Sequence, residues 1–239
     1  MQGELTIVIP CKNEVKMLPK LLASLSRQDY EGMAQTRILV ADAGSTDGTV
    51  EVALTFRDRL AIEVIPGGLP SVGRNAGARL ATTRFVLFLD ADVELPEPTL
   101  LRRALWTMRR RELHLVTTNI ACRHGGFFDD ALYAGNNLMQ YVGSFMKPFA
   151  TGMFMLFERK VFWELGGFNE QALFAEDYLL SKGVVAKRFR IVKGKVFTTN
   201  RRFQKLGHGR MVWMFFQTMM HSWDDDYFLR DRGYWSEAG

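Results

Sequence analysis

FVLFLDAD, from Phe85 to Asp92, is a run of five apolar residues followed by two aspartates with an alanine between them. An unbroken apolar run of this length is typical of a strand in a parallel sheet that is covered on both faces. At strand periodicity Asp90 and Asp92 share one face, and Ala91 leaves the space between them open. Carboxylate oxygens suit Mg²⁺ or Mn²⁺, which keep coordination positions for phosphate oxygens. The stretch predicts a buried strand that ends in a metal site, although an isolated D-x-D pair is more often a solvated turn.

The chain around this strand alternates short apolar runs with amphipathic stretches, which is typical of consecutive β-α units and a mostly parallel sheet. Four strands are predicted in the first half, at residues 5–10, 37–42, 61–65 and 85–89. Helices are predicted at residues 18–25, after the turn at 45–49, at about 71–81 and at about 97–111. Ser45 or Thr46 is expected to cap the second of these helices.

The pattern changes after a further strand near residues 113–119. Residues 124–149 predict a loop with an irregular helix, and such departures often carry specificity. A strand at 153–157, a helical turn at 159–165 that ends at Gly166-Gly167, and a helix at 176–186 are predicted beyond it. The segment from His208 onwards mixes aromatic, methionine and charged residues and predicts no defined element.

Composition narrows the classes of function. A chain of 239 residues with 47% hydrophobic content can bury one sizeable core, and a formal net charge of +5 is a modest bias toward anionic partners. Cys11 and Cys122 lie far apart without C-x-x-C spacing, which argues against a disulfide framework or a zinc knuckle and for a reducing cytoplasm. No run approaches the roughly 18 apolar residues of a spanning helix, so a soluble or peripherally attached chain is expected. The basic residues are dispersed and no reader motif occurs, so no nucleic-acid partner is expected.

Polar residues follow several of the predicted strands, and the carboxyl ends of parallel strands meet at one crevice. Four candidate groups lie at this crevice: Pro10 to Glu14 after the first strand, Asp42 at the end of the second, Arg74 with Asn75 at the start of the third helix, and Asp90 to Asp92 at the end of the fourth strand. Asp42 is expected to accept a hydrogen bond from a nucleobase, Arg74 to face a base or a phosphate, and Asp92 to hold the metal. The structural alternatives are a turn for Asp42, a surface helix position for Arg74, and helix capping for Asn13 and Glu14.

Several motifs along the chain occur in a definite order. They are LTIVIP at residues 5–10, KNE at 12–14, VADAGSTDGT at 40–49, GRNAG at 73–77, LDAD at 89–92, TGMFMLF at 151–157, GGFNE at 166–170 and ED at 176–177. This ordered set, which covers about residues 5–202, resembles the family 2 glycosyltransferases of the GT-A fold. One departure is Ala43, where many relatives have a second aspartate.

The resemblance implies a GT-A α/β fold, with a Rossmann-like, mostly parallel central sheet flanked by helices and a small antiparallel region on the acceptor side. It implies one domain over residues 1–239. Residues 1–119 would form the nucleotide-sugar-binding half, residues 120–207 the acceptor and catalytic half, and residues 208–239 a tail. Contact of this tail with a membrane, a second subunit or its own active site is an open expectation, because its aromatic and basic residues suit each of the three.

The function that the resemblance implies is inverting transfer of a sugar from a nucleoside diphosphate sugar, preferably UDP-linked, to an acceptor hydroxyl. Asp177 corresponds to the general base, with Glu176 as a supporting neighbour. The donor would contact Pro10, Asn13, Glu14, Asp42, Arg74, Asp90, Ala91 and Gly152. Mg²⁺ or Mn²⁺ would be held by Asp92 and Asp90, with His208 as a further ligand, and Arg201 and Arg202 would contact a diphosphate or a lipid phosphate.

Other functions remain open from the sequence. The acceptor is expected to be a glycan or a lipid-linked molecule, and a polyprenyl-phosphate sugar synthase that acts on a lipid phosphate is the main alternative. A sugar-phosphate nucleotidyltransferase is disfavoured because residues 10–14 lack the glycine-rich loop of that class. A non-catalytic nucleotide-sugar-binding module is the remaining alternative.

Overall fold

A seven-stranded sheet forms the centre of the computed structural model, which describes residues 3–123, 125–201, 204, 207–221 and 224–229. The strands are β1 (Leu5–Cys11), β2 (Arg37–Asp42), β3 (Ala61–Pro66), β4 (Phe85–Phe88), β5 (Leu115–Cys122), β6 (Met155–Glu158) and β7 (Phe189–Thr198). Their order is β3-β2-β1-β4-β6-β5-β7. Only β6 runs antiparallel to its neighbours, β4 and β5. The predicted mostly parallel α/β sheet is thus confirmed.

Eight helices accompany this sheet within the described ranges. They are α1 (Leu18–Leu25), α2 (Thr49–Leu54), α3 (Pro70–Leu80), α4 (Leu100–Arg111), α5 (Phe127–Gly143), α6 (Arg159–Glu164), α7 (Glu176–Ser181) and α8 (His208–Met220). The apolar residues of α1 and α4 pack on one set of strand side chains, and those of α3 and α6 pack with the other set. Two-sided burial explains why β1 and β4 are buried along their whole length.

Aromatic packing connects this core to the residues that follow α6. The Phe88 ring lies against those of Phe162 and Phe168, with centroids 5.0 Å apart in both pairs. Gly166 and Gly167 have φ values of 90° and 72°, which glycine adopts without strain, and they end α6 as predicted. This turn brings Phe168 back onto the sheet.

Three local predictions were wrong, and two elements, β7 and α8, were not predicted. Residues 127–143 form one regular helix, α5, instead of a loop with an irregular helix. The helix predicted at 176–186 ends at Ser181, and the strand β7 was not predicted. Neither Ser45 nor Thr46 caps α2, because the N-cap is Gly48. The Ser45 hydroxyl donates instead to Asp42, and the Thr46 amide donates to Asn13.

The tail is described in part. Beyond α8 a 3₁₀ turn, Asp225–Leu229, places Phe228 against the rings of Phe174 and Tyr178. The Leu173 amide donates to the Phe228 carbonyl at 3.1 Å. This part of the tail therefore packs on the chain's own residues beside α7. Among the helices described, none has both the length and the apolar character needed to cross a bilayer.

Candidate active site

The predicted polar residues lie at one edge of the sheet because β1, β2 and β4 run parallel and in register. Cys11 at the end of β1 is paired with Asp42 at the end of β2, and Val8 is paired with Phe88 at the end of β4. Pro10 is buried within β1, and Ala91 is buried between the two aspartates that follow β4. The strand-end rule therefore placed these residues correctly in the fold.

The loops after β1 and β2 are joined by hydrogen bonds between side chains and backbone. Asn13 has a left-handed φ of 54°; its amide donates to the Ser45 hydroxyl, and its side-chain oxygen accepts from the Thr46 amide, both at 2.9 Å. The Glu14 amide donates to the Thr49 hydroxyl at 2.8 Å. These bonds hold the two loops together at the edge of the crevice.

The Asp42 carboxylate organises the turn after β2. Its Oδ1 accepts from the Ser45 hydroxyl at 2.5 Å, and its Oδ2 accepts from the amides of Gly44 and Ser45 at 3.1 and 3.0 Å. The neighbouring Cys11 thiol is buried and lies 3.6 Å from Oδ1, and burial, with Asp42 adding to it, raises the pKa of that thiol. Asp42 thus makes the turn interactions that were its structural alternative.

Arg74 connects the two halves of the site. Its guanidinium is buried and donates to Asp90 and to Glu176, each at 2.6 Å, and it lies over the Phe168 ring. Gly152 packs directly against it, and a Cβ on Gly152 would stand 2.9 Å from Arg74 Cζ. Because its guanidinium is held by two carboxylates inside the protein, Arg74 sets the positions of Asp90 and Glu176. The structural alternative for Arg74, a surface helix position, was wrong because its guanidinium is buried, and its contact with a base or a phosphate stays a prediction.

The carboxylate of Asp177 lies next to this ion-pair network. Its Oδ2 accepts from the Gly152 amide at 2.9 Å and its Oδ1 accepts from its neighbour's amide, that of Tyr178, at 2.8 Å. Burial, with the charge of Glu176 adding to it and that of Arg74 opposing it, raises the pKa of Asp177 from 3.8 to about 7. The residue keeps part of its surface exposed. A carboxylate that two amides hold in place and whose pKa lies near neutrality can accept a proton.

A second group of charges lies beside Asp92. Arg201 Nη2 donates to both Glu14 oxygens at 2.8 Å and lies 3.5 Å from Asp92 Oδ2, which also accepts from Thr198 at 3.4 Å. Burial raises the pKa of Glu14, the charge of Arg201 lowers it, and Asp92 and then Asp90 raise it again. Three carboxylates are thus close enough to repel one another, and Arg201 offsets part of that charge.

The predicted ligand set of the metal is only partly assembled. Within the described part of the chain, no group of three or more His, Cys, Asp or Glu side chains is arranged to hold a metal ion. Asp90 is engaged by Arg74, and the side chain of His208 and the whole of Arg202 lie outside the described residues. Asp92 and Asp90 still fit a magnesium-type ion, which takes one or two carboxylates and completes its shell with phosphate oxygens and water.

Two features of the site were not predicted from the sequence. Asn75 holds the segment after α6, because its side chain accepts from the Phe168 amide at 3.0 Å and donates to the Phe168 carbonyl at 2.8 Å. The ion pair between Arg201 and Glu14 joins residues from opposite ends of the chain. The asparagine at the centre of GRNAG was the one sequence signal for the Asn75 contacts. The ion pair between Arg201 and Glu14 had no local signal in the sequence.

Comparison with known families gives one match that covers most of the chain. The model described as "Glycosyl transferase family 2" matches residues 6–166. A curated relative, validoxylamine A glucosyltransferase of Streptomyces hygroscopicus subsp. jinggangensis (strain 5008), is 37% identical over 93 residues, which are 37% of this chain and 22% of the relative. A longer match, 28% identical over 93% of this chain and 61% of the relative, is to 4,4'-diaponeurosporenoate glycosyltransferase of Staphylococcus haemolyticus (strain JCSC1435). The chain thus spans only part of these relatives.

Solved structures with the same fold include two complexes with nucleotide sugars. S. aureus TarS 1-349 in complex with UDP-GlcNAc has a TM-score of 0.66 at 20% identity, covering 82% of this chain and 58% of that one. Mannosyltransferase PcManGT from Pyrobaculum calidifontis in complex with GDP-Man and Mn²⁺ has a TM-score of 0.67 at 20% identity, covering 90% of this chain and 65% of that one. At this identity the likeness is one of fold.

Proposed function

The chain belongs to glycosyl transferase family 2, and we propose that it transfers a sugar from a nucleoside diphosphate sugar to an acceptor hydroxyl, with inversion at the anomeric carbon. The observation that carries this proposal is the continuous set of contacts from Asp177 through Gly152 and Arg74 to Asp90. It joins a carboxylate suited to proton transfer with the pair of aspartates suited to a diphosphate-bound cation. Sugar transfer needs both functions on opposite sides of the anomeric carbon.

Asp177 is proposed as the general base. An acceptor hydroxyl loses its proton as it attacks the anomeric carbon, and a carboxylate with a pKa near the working pH takes that proton most effectively. Two backbone amides fix the orientation of this carboxylate, and the residue that carries it keeps part of its surface exposed. Glu176 is committed to Arg74, so it is the less suitable of the two neighbouring acids.

Asp92 and Asp90 are proposed to hold Mg²⁺ or Mn²⁺ together with the diphosphate of the donor. The proposal is supported by the negative charge that Asp92 and Asp90 place near Glu14, which raises the pKa of Glu14 and which a bound cation would compensate. When bound, the metal would neutralise charge on the departing diphosphate. Arg201, half-exposed between Glu14 and Asp92, is placed to contact the same phosphates.

The nucleoside is proposed to lie against the loops after β1 and β2, near Pro10, Asn13 and Asp42. Their mutual hydrogen bonds make this wall rigid before a donor binds, which lowers the entropic cost of binding. A UDP-linked donor is preferred, as in the TarS complex, whereas the PcManGT complex holds GDP-Man and makes guanosine donors the necessary comparison. The acceptor is proposed to be a hydroxyl of a glycan or of a lipid-linked molecule.

A screen of donors tests the proposed reaction without knowledge of the acceptor. In the presence of Mn²⁺, hydrolysis of one UDP- or GDP-sugar is expected to run about a hundredfold faster than with a chelator, because charge on the leaving diphosphate is compensated. Asp92→Asn should abolish this metal-dependent increase, whereas Asp58→Asn, at an exposed position outside the site, should preserve it. Absence of binding and hydrolysis for every nucleotide sugar tested would refute the proposal.

The raised pKa of Asp177 predicts opposite effects of pH on activity and on stability. Activity should rise about tenfold per pH unit below pH 7 and level off above it, because only the ionised carboxylate accepts a proton. The folded chain keeps the Asp177 proton up to about pH 7, whereas the unfolded chain releases it near 3.8. The contribution of Asp177 to the free energy of unfolding is therefore fully present below the pKa of the unfolded chain, 3.8, and is lost as the pH rises through the folded pKa of about 7.

Measured pH profiles of kcat/KM and of the free energy of unfolding check both signs. Asp177→Asn is the reference for stability, since it removes the titrating group. From pH 5 to pH 8 the unfolding free energy of the native chain should fall relative to that of Asp177→Asn. A difference that is flat with pH would show that Asp177 is not perturbed by folding.

A further inference from the structure

Helix α5 buries several polar residues and exposes most of its large apolar residues, although Tyr133 is buried in the core and Leu132 packs against it. Asp129, Asn136 and Gln140 are buried on the side that faces the sheet, and Asn137 bonds the amide and the carbonyl of Ile120 in β5 at 2.9 and 2.8 Å. The opposite side carries large apolar side chains that are mostly solvent-exposed. This is the reverse of the pattern of an ordinary surface helix, which buries its apolar stripe.

The exposed side forms a continuous surface at the C-terminal end of α5. We call it the α5 apolar face, and it consists of Leu138, Tyr141, Val142, Phe145 and Met146, which are between 54% and 79% exposed. The first three recur at helical spacing, and the last two follow in the turn after the helix. Large apolar side chains that are grouped in this way, unlike scattered ones, mark an interaction surface.

Basic residues border this surface. A groove of about 560 Å³ lies between the end of α5 and the start of β7, and Tyr141 and Phe145 line it together with Lys187 and Arg190. Lys147 is exposed directly after the turn. Aromatic and aliphatic groups beside cationic ones suit the boundary between lipid headgroups and acyl chains, where the apolar groups enter and the cations remain at the phosphates.

We propose that the α5 apolar face docks on the surface of an anionic lipid bilayer. Leu138, Val142, Phe145 and Met146 would enter the interface, and Lys187 and Arg190 would meet lipid phosphates. This inference does not depend on the sugar-transfer chemistry, and it assigns membrane contact to α5 and not to the tail. A lipid-linked acceptor would diffuse in the plane of the same bilayer to which the protein is bound.

Charge complementarity favours a bilayer over a second copy of the chain. In a symmetric dimer the same patch faces itself, so the cations around the α5 apolar face would be brought towards their own counterparts. Like charges brought together at a desolvated contact oppose association. An anionic surface instead gains from each of these cations, in a chain whose formal net charge is +5.

Co-sedimentation with phosphatidylcholine vesicles, with and without phosphatidylglycerol, tests the proposal on the full chain. The native chain should bind the anionic vesicles preferentially. Leu138→Gln combined with Phe145→Gln should weaken this binding about tenfold or more, and Lys187→Gln with Arg190→Gln should weaken it about tenfold on anionic vesicles only. Trp106→Gln, at a half-exposed aromatic residue on α4, is the matched control and should bind as the native chain does.

Two further measurements make the outcome decisive. Donor hydrolysis in solution should be unchanged in both double variants, because the replaced side chains lie outside the active site. Thermal unfolding should be unchanged in Leu138→Gln with Phe145→Gln, whose side chains are exposed, whereas Arg190 also donates to the Phe189 carbonyl and its loss can lower the midpoint slightly. Vesicle binding that survives Leu138→Gln with Phe145→Gln would assign it to another surface and overturn the proposal. A dimer seen by light scattering that these changes dissociate, without vesicle binding by the native chain, would overturn it in favour of self-association.

Discussion

Asp177→Asn is expected to lower turnover by about 10³-fold while the affinity for the nucleotide-sugar donor changes by no more than about twofold. Asparagine keeps the size of the side chain and an oxygen that accepts from the Gly152 amide, so the surroundings of Arg74 should persist. It cannot take the proton of an attacking hydroxyl. The loss should therefore appear in kcat, and isothermal titration with the donor should show near-native binding.

Asp58→Asn provides the matched control for this experiment. It makes the same chemical change at an exposed carboxylate that pairs with the adjacent Arg59. Native turnover in Asp177→Asn would remove this residue from the proton-transfer step. Loss of donor binding together with turnover would instead assign Asp177 a structural part in holding Gly152 against Arg74.

Most of the fold was predictable because its strands are local patterns. The strand β2 occurs at the predicted residues, and β1, β3 and β4 differ from prediction by one residue at one end. The strand β7 was missed because the sequence FRIVKGKVFT mixes lysines and a glycine into an edge strand with one half-solvated side. The helix α5 was missed because most of its large apolar residues face outward, whereas the pattern used to predict helices expects them on the buried side.

The site was predictable only up to the contacts between distant segments. Strand ends converge by topology, so Asp42, Asp90 and the residues after β1 could be placed together without coordinates. Arg74 and Glu176 are 102 residues apart, and nothing local indicates that a helix residue will be buried between two carboxylates. For the same reason Arg74 was expected to face a ligand, whereas the structure has it holding Asp90 and Glu176 in place.

Arg74→Met is expected to destabilise the fold by about 3 kcal/mol or more, because it leaves Glu176 buried and Asp90 half-buried without their shared cation. Methionine keeps most of the apolar stem volume, so the loss should be mainly electrostatic. Activity should also fall, since both carboxylates lose their position. Denaturant unfolding at neutral pH measures the first effect, and donor hydrolysis in conditions where the variant remains folded measures the second.

Arg79→Met is the matched control, because it removes the same side chain one turn along α3, where Arg79 and its partner Glu170 are both exposed. An exposed pair contributes about 0–1 kcal/mol, so this variant should unfold close to the native midpoint and retain activity. Equal losses of stability in the two variants would mean that α3 is sensitive to any replacement of an arginine by methionine. The loss in Arg74→Met could then not be assigned to its buried ion pairs. A large loss of stability in Arg74→Met alone would show that the effect comes from burial of the ion pairs. Water cannot replace the guanidinium there, so the unpaired carboxylates remain poorly solvated.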